Sequence, residues 1–125
     1  MRIRPATPKD RAAIKDLIAA FPSTLVQDHL PQTKDFFVAE EKGNVIGCCA
    51  LEIYSPKIAE IRSLAVQKEF QGRGIATKLV HRCVNRAKSR AIRQVLSITG
   101  SHGLFDKLGF KAFNKEKYAL FKIFE

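Results

Sequence analysis

The sequence lacks the long apolar stretches that membrane proteins and secreted precursors carry. No apolar run in its 125 residues approaches the roughly 20 residues that a membrane span needs. The opening residues 1–5 also lack the apolar core of a signal peptide. We therefore expect a cytoplasmic protein with no membrane partner.

Linkers, internal repeats and low-complexity tracts are also missing, as is any cysteine spacing that indicates a zinc site or a redox pair. Cys48 and Cys49 are adjacent, so they should point to opposite faces of a strand, and Cys83 leaves the total odd. We interpret all three as small buried residues of a reducing compartment. We expect no metal and a single domain over residues 1–125, long enough for one core but not for two.

Acidic residues are few, and none occurs between Glu69 and Asp106. The chain has 22 lysines and arginines against 12 aspartates and glutamates, which gives a net charge of +10. The acid-free stretch holds the bases Arg73, Lys78, Arg82, Arg86, Lys88, Arg90 and Arg93. Such a field attracts a polyanion, which leaves nucleic acid, membrane phosphates and a phosphorylated cofactor as partner classes.

The hydrophobic pattern predicts a mixed α/β sheet covered by helices, in the order strand, helix, strands, helix, strand, helix, strand. After a short strand at Ile3-Arg4, Thr7 and Asp10 mark a helix start, and Pro22 stops the helix. Its apolar residues follow at helical spacing: Ile14, Leu17, Ile18 and Phe21. Residues 23–33 fit either a short helix or a loop over a site.

Residues 35–53 predict a β-hairpin whose turn lies at Lys42-Gly43-Asn44, where Gly and Asn tolerate positive φ. A strand over residues 58–66 should place four side chains on one face: Glu60, Arg62, Leu64 and Val66. The longest helix follows residue 74 with an apolar stripe of Ile75, Ala76, Leu79, Val80, Cys83, Val84 and Ala87. We further predict a strand at 94–99, a helix at 104–108 closed by Gly109, and a strand at 118–124.

The segment between the strand and the longest helix has the composition of an anion site. It reads Gln71-Gly72-Arg73-Gly74-Ile75-Ala76. Glycines there leave backbone N–H groups uncovered, and the helix start adds unpaired N–H groups and a partial positive charge, which suits a pyrophosphate. The segment matches neither a Walker A loop nor a three-glycine dinucleotide fingerprint. The alternative is an ordinary glycine turn.

Two stretches together resemble a known family. Residues 61–66, ending Leu-Ala-Val, followed after a four-residue gap by residues 71–76, are similar to the acetyl-CoA signature of the GNAT N-acetyltransferases. That signature is a strand ending in Leu-x-Val and then Gln/Arg-x-x-Gly-x-Gly/Ala. Residues 104–110 resemble the second cofactor segment of the family, usually Tyr-x-x-x-Gly-Phe. The resemblance implies a single-domain GNAT fold in which two parallel strands of a mixed central sheet splay apart, with acetyl-CoA as cosubstrate.

The resemblance also implies cofactor contacts. The pantetheine arm would lie in the gap between the splayed strands and bond the backbone of Leu64, Ala65 and Val66. The pyrophosphate would lie on Gln71, Gly72, Arg73, Gly74, Ile75, Ala76 and Thr77. Phe105 stands where the family usually has a tyrosine that protonates the leaving thiolate. We expect Phe105 to form an apolar wall, with solvent, the substrate ammonium or Ser101 as the acid.

Glu60 is the candidate general base, because residues 59–61 resemble the same strand of histone-type members, where a glutamate has that role. The alternative for Glu60 is a solvated carboxylate paired with Arg62, and Glu52 is the next candidate base. Arg62 is a candidate for binding a substrate carboxylate, since residues 60–66 resemble the short N-acetylglutamate synthase branch. The alternative for Arg62 is a salt bridge to Glu60. We interpret His102 as a cap or surface residue.

The resemblance implies acetyl transfer to a primary amine, and a small molecule or an amino acid is favoured over a protein acceptor. Two other interpretations stay open: a fold that binds acyl-CoA without turnover, and a basic nucleic-acid-binding domain. Acetyl-CoA carries about four negative charges, which accounts for the basic field without nucleic acid. The acceptor pocket would be formed by residues 20–34 and the hairpin after the last helix. A homodimer is an open option for assembly.

Overall fold

The computed structural model describes residues 1–99 and 102–111. Their strands and α-helices follow the predicted order: β1 (Arg2–Pro5), α1 (Arg11–Ala19), β2 (Phe36–Glu41), β3 (Asn44–Ile53), β4 (Ile58–Val66), α2 (Ile75–Ser89), β5 (Gln94–Leu96) and α3 (His102–Lys107). The predicted strand at 118–124 lies outside the described residues. Residues 23–32 form a loop, and a single 3₁₀ turn, Thr33–Asp35, leads into β2.

The five strands form one sheet in the order β1-β2-β3-β4-β5. Neighbouring strands are antiparallel except β4 and β5, which are parallel. The prediction of a mixed α/β sheet is confirmed. A parallel pair needs a long crossover, and α2 supplies it.

Helices cover both faces of the sheet, and each face has its own apolar cluster. The face under α1, called the α1 face, buries Ile14, Leu17, Ile18, Phe36, Val38, Cys48, Ala50 and Ala65. The opposite face, called the α2 face, buries residues that include Cys49, Leu51, Ile61, Val66, Leu79, Val80, Cys83 and Phe105. The prediction that Cys48 and Cys49 point to opposite faces is confirmed.

A buried carboxylate fixes the start of α1. A 3₁₀ turn, Pro8–Asp10, precedes the helix, and the Asp10 carboxylate accepts the Thr7 N–H at 2.7 Å. Arg4 lies 2.8 Å from the same carboxylate and is the main reason that the pKa of Asp10 falls to about 2. The Thr7–Asp10 start predicted from the sequence is thus present, and it ties α1 to β1.

The turn of the β2–β3 hairpin differs from the prediction in one residue. Lys42 and Gly43 take positive φ, at 50° and 83°, whereas Asn44 is already the first residue of β3. A two-residue turn of this kind needs positive φ at both central positions. The expectation that Asn44 takes this conformation is wrong, because the two-residue turn places Lys42 there.

A bulge in β4 overturns the predicted face of that strand. Arg62 lies opposite Ala50, but the next pair is Ala65 opposite Cys48, so two residues of β4 occupy the space of one. Ser63, within the bulge, has φ +57°. The extra residue reverses the alternation of side chains. Glu60 and Arg62 therefore lie on the α1 face, whereas Leu64 and Val66 lie on the α2 face.

The parallel strands β4 and β5 separate after a short contact. Their pairing covers Ile58–Glu60 against Gln94–Leu96. Among the described residues, β5 has three residues and not the six predicted at 94–99, while β4 continues to Val66. Among the residues that the structure describes, the second half of β4 therefore pairs with β3 on one side and with no strand on the β5 side, which leaves a gap there. This separation is the splay that the family resemblance predicts.

Candidate functional site

The edge of β4 that faces the gap presents backbone groups. The Gln67 N–H donates to the Ile46 carbonyl on β3 at 2.9 Å, so the backbone of Gln67 faces β3. Successive residues of a strand direct their N–H and C=O groups to alternate sides. Val66 and Leu64 therefore face the gap, and Ala65 faces β3. Of the three residues predicted to bond the pantetheine, Leu64 and Val66 have the suitable backbone orientation.

Two glycines shape the turn between β4 and α2. Gly72 has φ +77° and Gly74 has φ +80°, the left-handed region that side chains make unfavourable. Gly74 caps α2, and its carbonyl accepts the Lys78 N–H at 3.1 Å as the first turn of the helix. The N–H groups of residues 75–77, which come before Lys78 in the first turn of α2, have no helix carbonyl one turn earlier to accept them. This conformation is the one that an anion site at the turn requires, and anion binding there stays a prediction.

The surroundings of this turn favour a negatively charged ligand. The side chain of Ile75 is buried and anchors the helix start, while residues 71–74 are exposed. The first turn of α2 holds no acidic residue. Arg73 lies over the ring of Phe70, 5.1 Å from its centre, which fixes one cation beside the glycines.

Gln71 connects the turn to the gap. Its carboxamide nitrogen donates to the Val66 carbonyl at 2.9 Å. Because the Val66 carbonyl faces the gap, this hydrogen bond occupies one backbone acceptor on the gap-facing edge of β4, next to the turn. The backbone of Leu64, two residues earlier, lies further from the turn along the same edge.

Part of the basic field has a structural role. Arg82 and Arg86 of α2 both lie over the Phe37 ring, at 4.9 Å and 4.0 Å from its centre. Arg82 donates to the Ile3 carbonyl at 2.9 Å, and Arg86 donates to the Lys34 carbonyl at 3.4 Å. These two cations hold the helix on the sheet, so they are less available to a nucleic acid than the sequence suggests.

Glu60 is buried, with 9% of its surface exposed, and lies where β4 and β5 begin to separate. The Tyr54 hydroxyl donates a short hydrogen bond to its carboxylate. Burial and this hydrogen bond raise the pKa of Tyr54 above its usual range, so the hydroxyl stays protonated and continues to donate. The carboxylate is thus held at the end of the gap and is not a freely solvated strand-end group.

Arg62 pairs with Glu52, not with Glu60. The Arg62 Nη1 lies 2.7 Å from the Glu52 Oε2, and both side chains are partly exposed on the α1 face. Glu52 lies directly opposite Glu60 in the β3–β4 ladder, which brings the two candidate bases and Arg62 together. The alternative interpretation of Arg62, a salt bridge to Glu60, is wrong because the guanidinium pairs with the Glu52 carboxylate on β3.

The sequence interpretation missed Tyr54. It lies two residues beyond Glu52, and its N–H donates to the Ile58 carbonyl, which extends the β3–β4 ladder past the end of β3. Strand alternation from Glu52 would have placed Tyr54 on the face that carries Glu60. The signal was present in the spacing, but the predicted hairpin ended at residue 53.

Phe105 is buried in α3, with 5% of its surface exposed, in the α2-face cluster that Leu64 packs against. Its ring meets Phe110 edge to face at 5.1 Å. Gly109 has φ +87° and follows α3 as predicted, although the helix begins at His102 and not at Leu104. The side chain of His102 and all of Ser101 lie outside the described residues.

The described ranges 1–99 and 102–111 contain neither a candidate metal site nor a candidate membrane span. No group of three or more His, Cys, Asp or Glu side chains there is placed to hold a metal ion. No helix in the same ranges is long and apolar enough to cross a membrane. The fold does bring Cys49 and Cys83 together, with 3.7 Å between the sulfurs, a contact that their spacing did not predict.

The chain belongs to the acetyltransferase (GNAT) family, whose model matches residues 7–110. It is 41% identical, over 93 residues, to an uncharacterized N-acetyltransferase of Chlorobaculum tepidum, which covers 74% of this chain and 60% of that relative. It is 29% identical, over 116 residues, to the amino-acid acetyltransferase of Mycobacterium tuberculosis, covering 86% of this chain and 67% of the relative. The chain thus spans less than two thirds of the Chlorobaculum protein.

Solved structures share this fold. A Mycobacterium tuberculosis protein in complex with CoA and the ligand NLQ superposes with a TM-score of 0.86 and 29% identity, covering 91% of this chain and 74% of that one. The N-acetylglutamate synthase of Neisseria gonorrhoeae superposes with a TM-score of 0.81 and 24% identity, covering 94% of this chain and 30% of that one. The second likeness concerns the fold alone.

Proposed function

We propose that the chain transfers the acetyl group of acetyl-CoA to a primary amine of a small molecule or an amino acid. The observation that carries the proposal is the continuous path to the glycine turn at 71–74 from the edge of β4 at Leu64, which has no strand partner on the β5 side among the described residues. A strand-like amide arm and a pyrophosphate are the two chemical groups that such a path fits. The similar structure that contains CoA supports the choice of ligand.

In the proposed complex the chain binds the cosubstrate through its backbone. Leu64 offers its C=O group and Val66 its N–H group to the pantetheine amides, with Ala65 as the spacer between them. The pyrophosphate lies on the N–H groups of residues 71–77, including Ile75, Ala76 and Thr77. Arg73 and Lys78, both exposed beside this turn, add positive charge.

A bound acetyl thioester supplies an activated acyl carbon and a thiol leaving group. Glu60 takes the proton that the amine must lose as it attacks, directly or through one water. The Leu64 N–H, which faces the gap, donates to the thioester oxygen as negative charge develops there. Tyr54 holds the Glu60 carboxylate in place by its hydrogen bond.

An amino acid is the acceptor class that the polar cluster supports. Arg62 lies on the same face as Glu60, two residues away, and Glu52 orients it through Nη1. A guanidinium has five N–H donors in a planar fork, a shape that matches a carboxylate. The amino-acid acetyltransferase relative supports the same class. We therefore propose that Arg62 binds the carboxylate of the acceptor while Glu60 takes the proton of its amine.

Phe105 has no proton to donate, so the proposed transfer proceeds without a tyrosine acid. A CoA thiol has a pKa of about 8.5, near that of an ordinary thiol, and solvent or the substrate can protonate it. Phe105→Tyr should therefore change turnover by less than tenfold, or less than about 1.4 kcal/mol on the barrier. Steady-state kinetics measure the change in turnover, and a thermal melt is the control for folding. A gain of a hundredfold would mean that the missing acid limits the chain.

The proposal is tested by following free CoA thiol while acetyl-CoA is mixed with a panel of amines. The panel contains amino acids, small amines without a carboxylate and lysine-containing peptides. Amine-dependent thiol release, greatest for amino acids, is the expected result. CoA binding without release for any amine would favour a non-catalytic acyl-CoA-binding protein. Retention on DNA that weakens steeply with salt would favour the nucleic-acid alternative.

We place this reaction in the cytoplasm, with acetyl-CoA and the amine as the partners. The cysteines support this placement, because Cys48, Cys49 and Cys83 are all free and buried. Thiols stay reduced in that compartment.

A further inference from the structure

A buried thiol lies against the bulge of β4. Cys48, on β3, has no exposed surface, and its Sγ lies 3.4 Å from the Ser63 carbonyl oxygen. Ala65, on the other side of the bulge, pairs with Cys48 in the β3–β4 ladder. Cys48 therefore holds the β4 backbone on both sides of Leu64, through its thiol at Ser63 and through its strand pairing at Ala65.

The direction of the Ser63 carbonyl determines the direction of the Leu64 N–H. In a trans peptide the C=O and N–H of one peptide group point in opposite directions. Because the Ser63 C=O points to Cys48 on β3, the Leu64 N–H points away from β3. The β5 side, with its gap, lies there.

The bulge needs a contact that holds it in place, because its backbone is strained. Ser63 has φ +57°, a conformation that is unfavourable for a residue other than glycine and persists only when neighbours hold it. In a regular ladder each residue of β4 would pair with β3, but here the pairing shifts between Cys48 and Ala50. The Cys48 thiol supplies a hydrogen-bond partner for the Ser63 carbonyl at the position where the strand pairing shifts.

We propose that Cys48 is a positioning residue for acetyl transfer, which fixes the Ser63–Leu64 peptide so that the Leu64 N–H meets the thioester oxygen. This inference rests on the proposed function. It adds a buried cysteine, remote from the glycine turn and from Glu60, to the residues on which turnover depends.

The protonation of the thiol agrees with a donor role. Burial raises the pKa of Cys48 to about 12, so the S–H is retained at neutral pH and donates to the Ser63 carbonyl. Serine can make the same hydrogen bond to the Ser63 carbonyl with a smaller oxygen. Alanine and valine cannot make it, so these substitutions separate the hydrogen bond from the packing.

The test compares Cys48→Ala and Cys48→Ser with Cys83→Ala as the matched control. Cys83 is equally buried, on the opposite face, and its sulfur contacts the sulfur and the carbonyl of Cys49, whereas the Cys48 sulfur contacts the Ser63 carbonyl. We expect Cys48→Ala to lower kcat about tenfold, which is part of the effect that complete loss of an oxyanion donor has. The Kd for CoA should stay within about twofold of the wild-type value. Cys48→Ser should restore kcat to within about threefold. Cys83→Ala should lose similar thermal stability and keep kcat.

Equal kcat in wild type and Cys48→Ala, or an equal fall of kcat in Cys83→Ala, would overturn the proposal. If Cys48→Ala does not fold, Cys48→Val fills the space without a hydrogen bond and takes its place. The amide resonance of Leu64 gives a readout that needs no turnover. It should move downfield when acetyl-CoA replaces CoA in the wild type, and this difference should disappear in Cys48→Ala. An unchanged difference in the variant contradicts the role of Cys48 while leaving the acetyl-CoA site intact.

Discussion

Replacing Glu60 by glutamine should lower kcat about a hundredfold at neutral pH, equivalent to about 2.7 kcal/mol on the barrier. A carboxamide cannot take the proton of the attacking amine. Its oxygen can still accept the Tyr54 hydroxyl, so the variant should fold and bind CoA as the wild type does. Steady-state turnover with the best amine of the panel and a calorimetric titration of CoA measure the two quantities.

Two other carboxylates serve as controls for this result. Glu41→Gln removes a carboxylate of β2 that lies 3.4 Å from the N-terminal ammonium group. Because β3 lies between β2 and β4, Glu41 is far from the gap, and kcat should stay unchanged. Glu52→Gln removes the partner of Arg62 and should raise KM for the acceptor more than it lowers kcat. A hundredfold fall in kcat for Glu52→Gln, with little change for Glu60→Gln, would assign the base role to Glu52.

Gly74→Val should weaken CoA binding at least a hundredfold, about 2.7 kcal/mol, since a branched side chain would cover the backbone that the pyrophosphate approaches. The fold itself has room, because a Cβ built at Gly74 meets nothing within 4 Å. The cost to stability is that of a φ near +80° for a β-branched residue, about 1–3 kcal/mol. Calorimetry of CoA binding and a thermal melt separate the two effects.

Gly43→Val is the matched control for this substitution. Gly43 has φ +83°, and a Cβ built there also meets nothing within 4 Å. It lies in the β2–β3 turn, so the variant should lose comparable stability and keep the CoA affinity of the wild type. Equal CoA affinity in Gly74→Val and wild type would refute the pyrophosphate assignment, and equal losses in both variants would show a general effect of destabilisation.

The sequence predicted those parts of the site whose cause is local. Gly72 and Gly74 were interpreted as a turn that exposes backbone N–H groups, and both take the positive φ that this requires. The apolar stripe of α2 was also predicted, since its period is visible in the chain itself, and residues such as Leu79 and Val80 have no exposed surface. A conformation set by neighbouring residues can be inferred from their order.

The parts that the sequence did not predict depend on pairing between strands. The bulge at Ser63 becomes visible only in the register of β4 against β3, and it moves Leu64 to the face opposite Glu60. The same register places Glu52 opposite Glu60, and Arg62 pairs with Glu52 instead of with Glu60, the partner considered as an alternative. No local signal fixes the strand offset at which a bulge occurs, so side-chain alternation alone gave the wrong face.

The central claim, that the gap and the glycine turn bind acetyl-CoA, is tested most directly by the thermal stability of the chain in the presence of CoA. A ligand at a hundredfold excess over its dissociation constant adds about 2.7 kcal/mol to the free energy of unfolding. For a domain of this size that corresponds to a rise in Tm of roughly 5–15 °C. We predict this rise for wild type and Gly43→Val, and its loss in Gly74→Val. A wild-type Tm that stays unchanged at millimolar CoA would contradict the account.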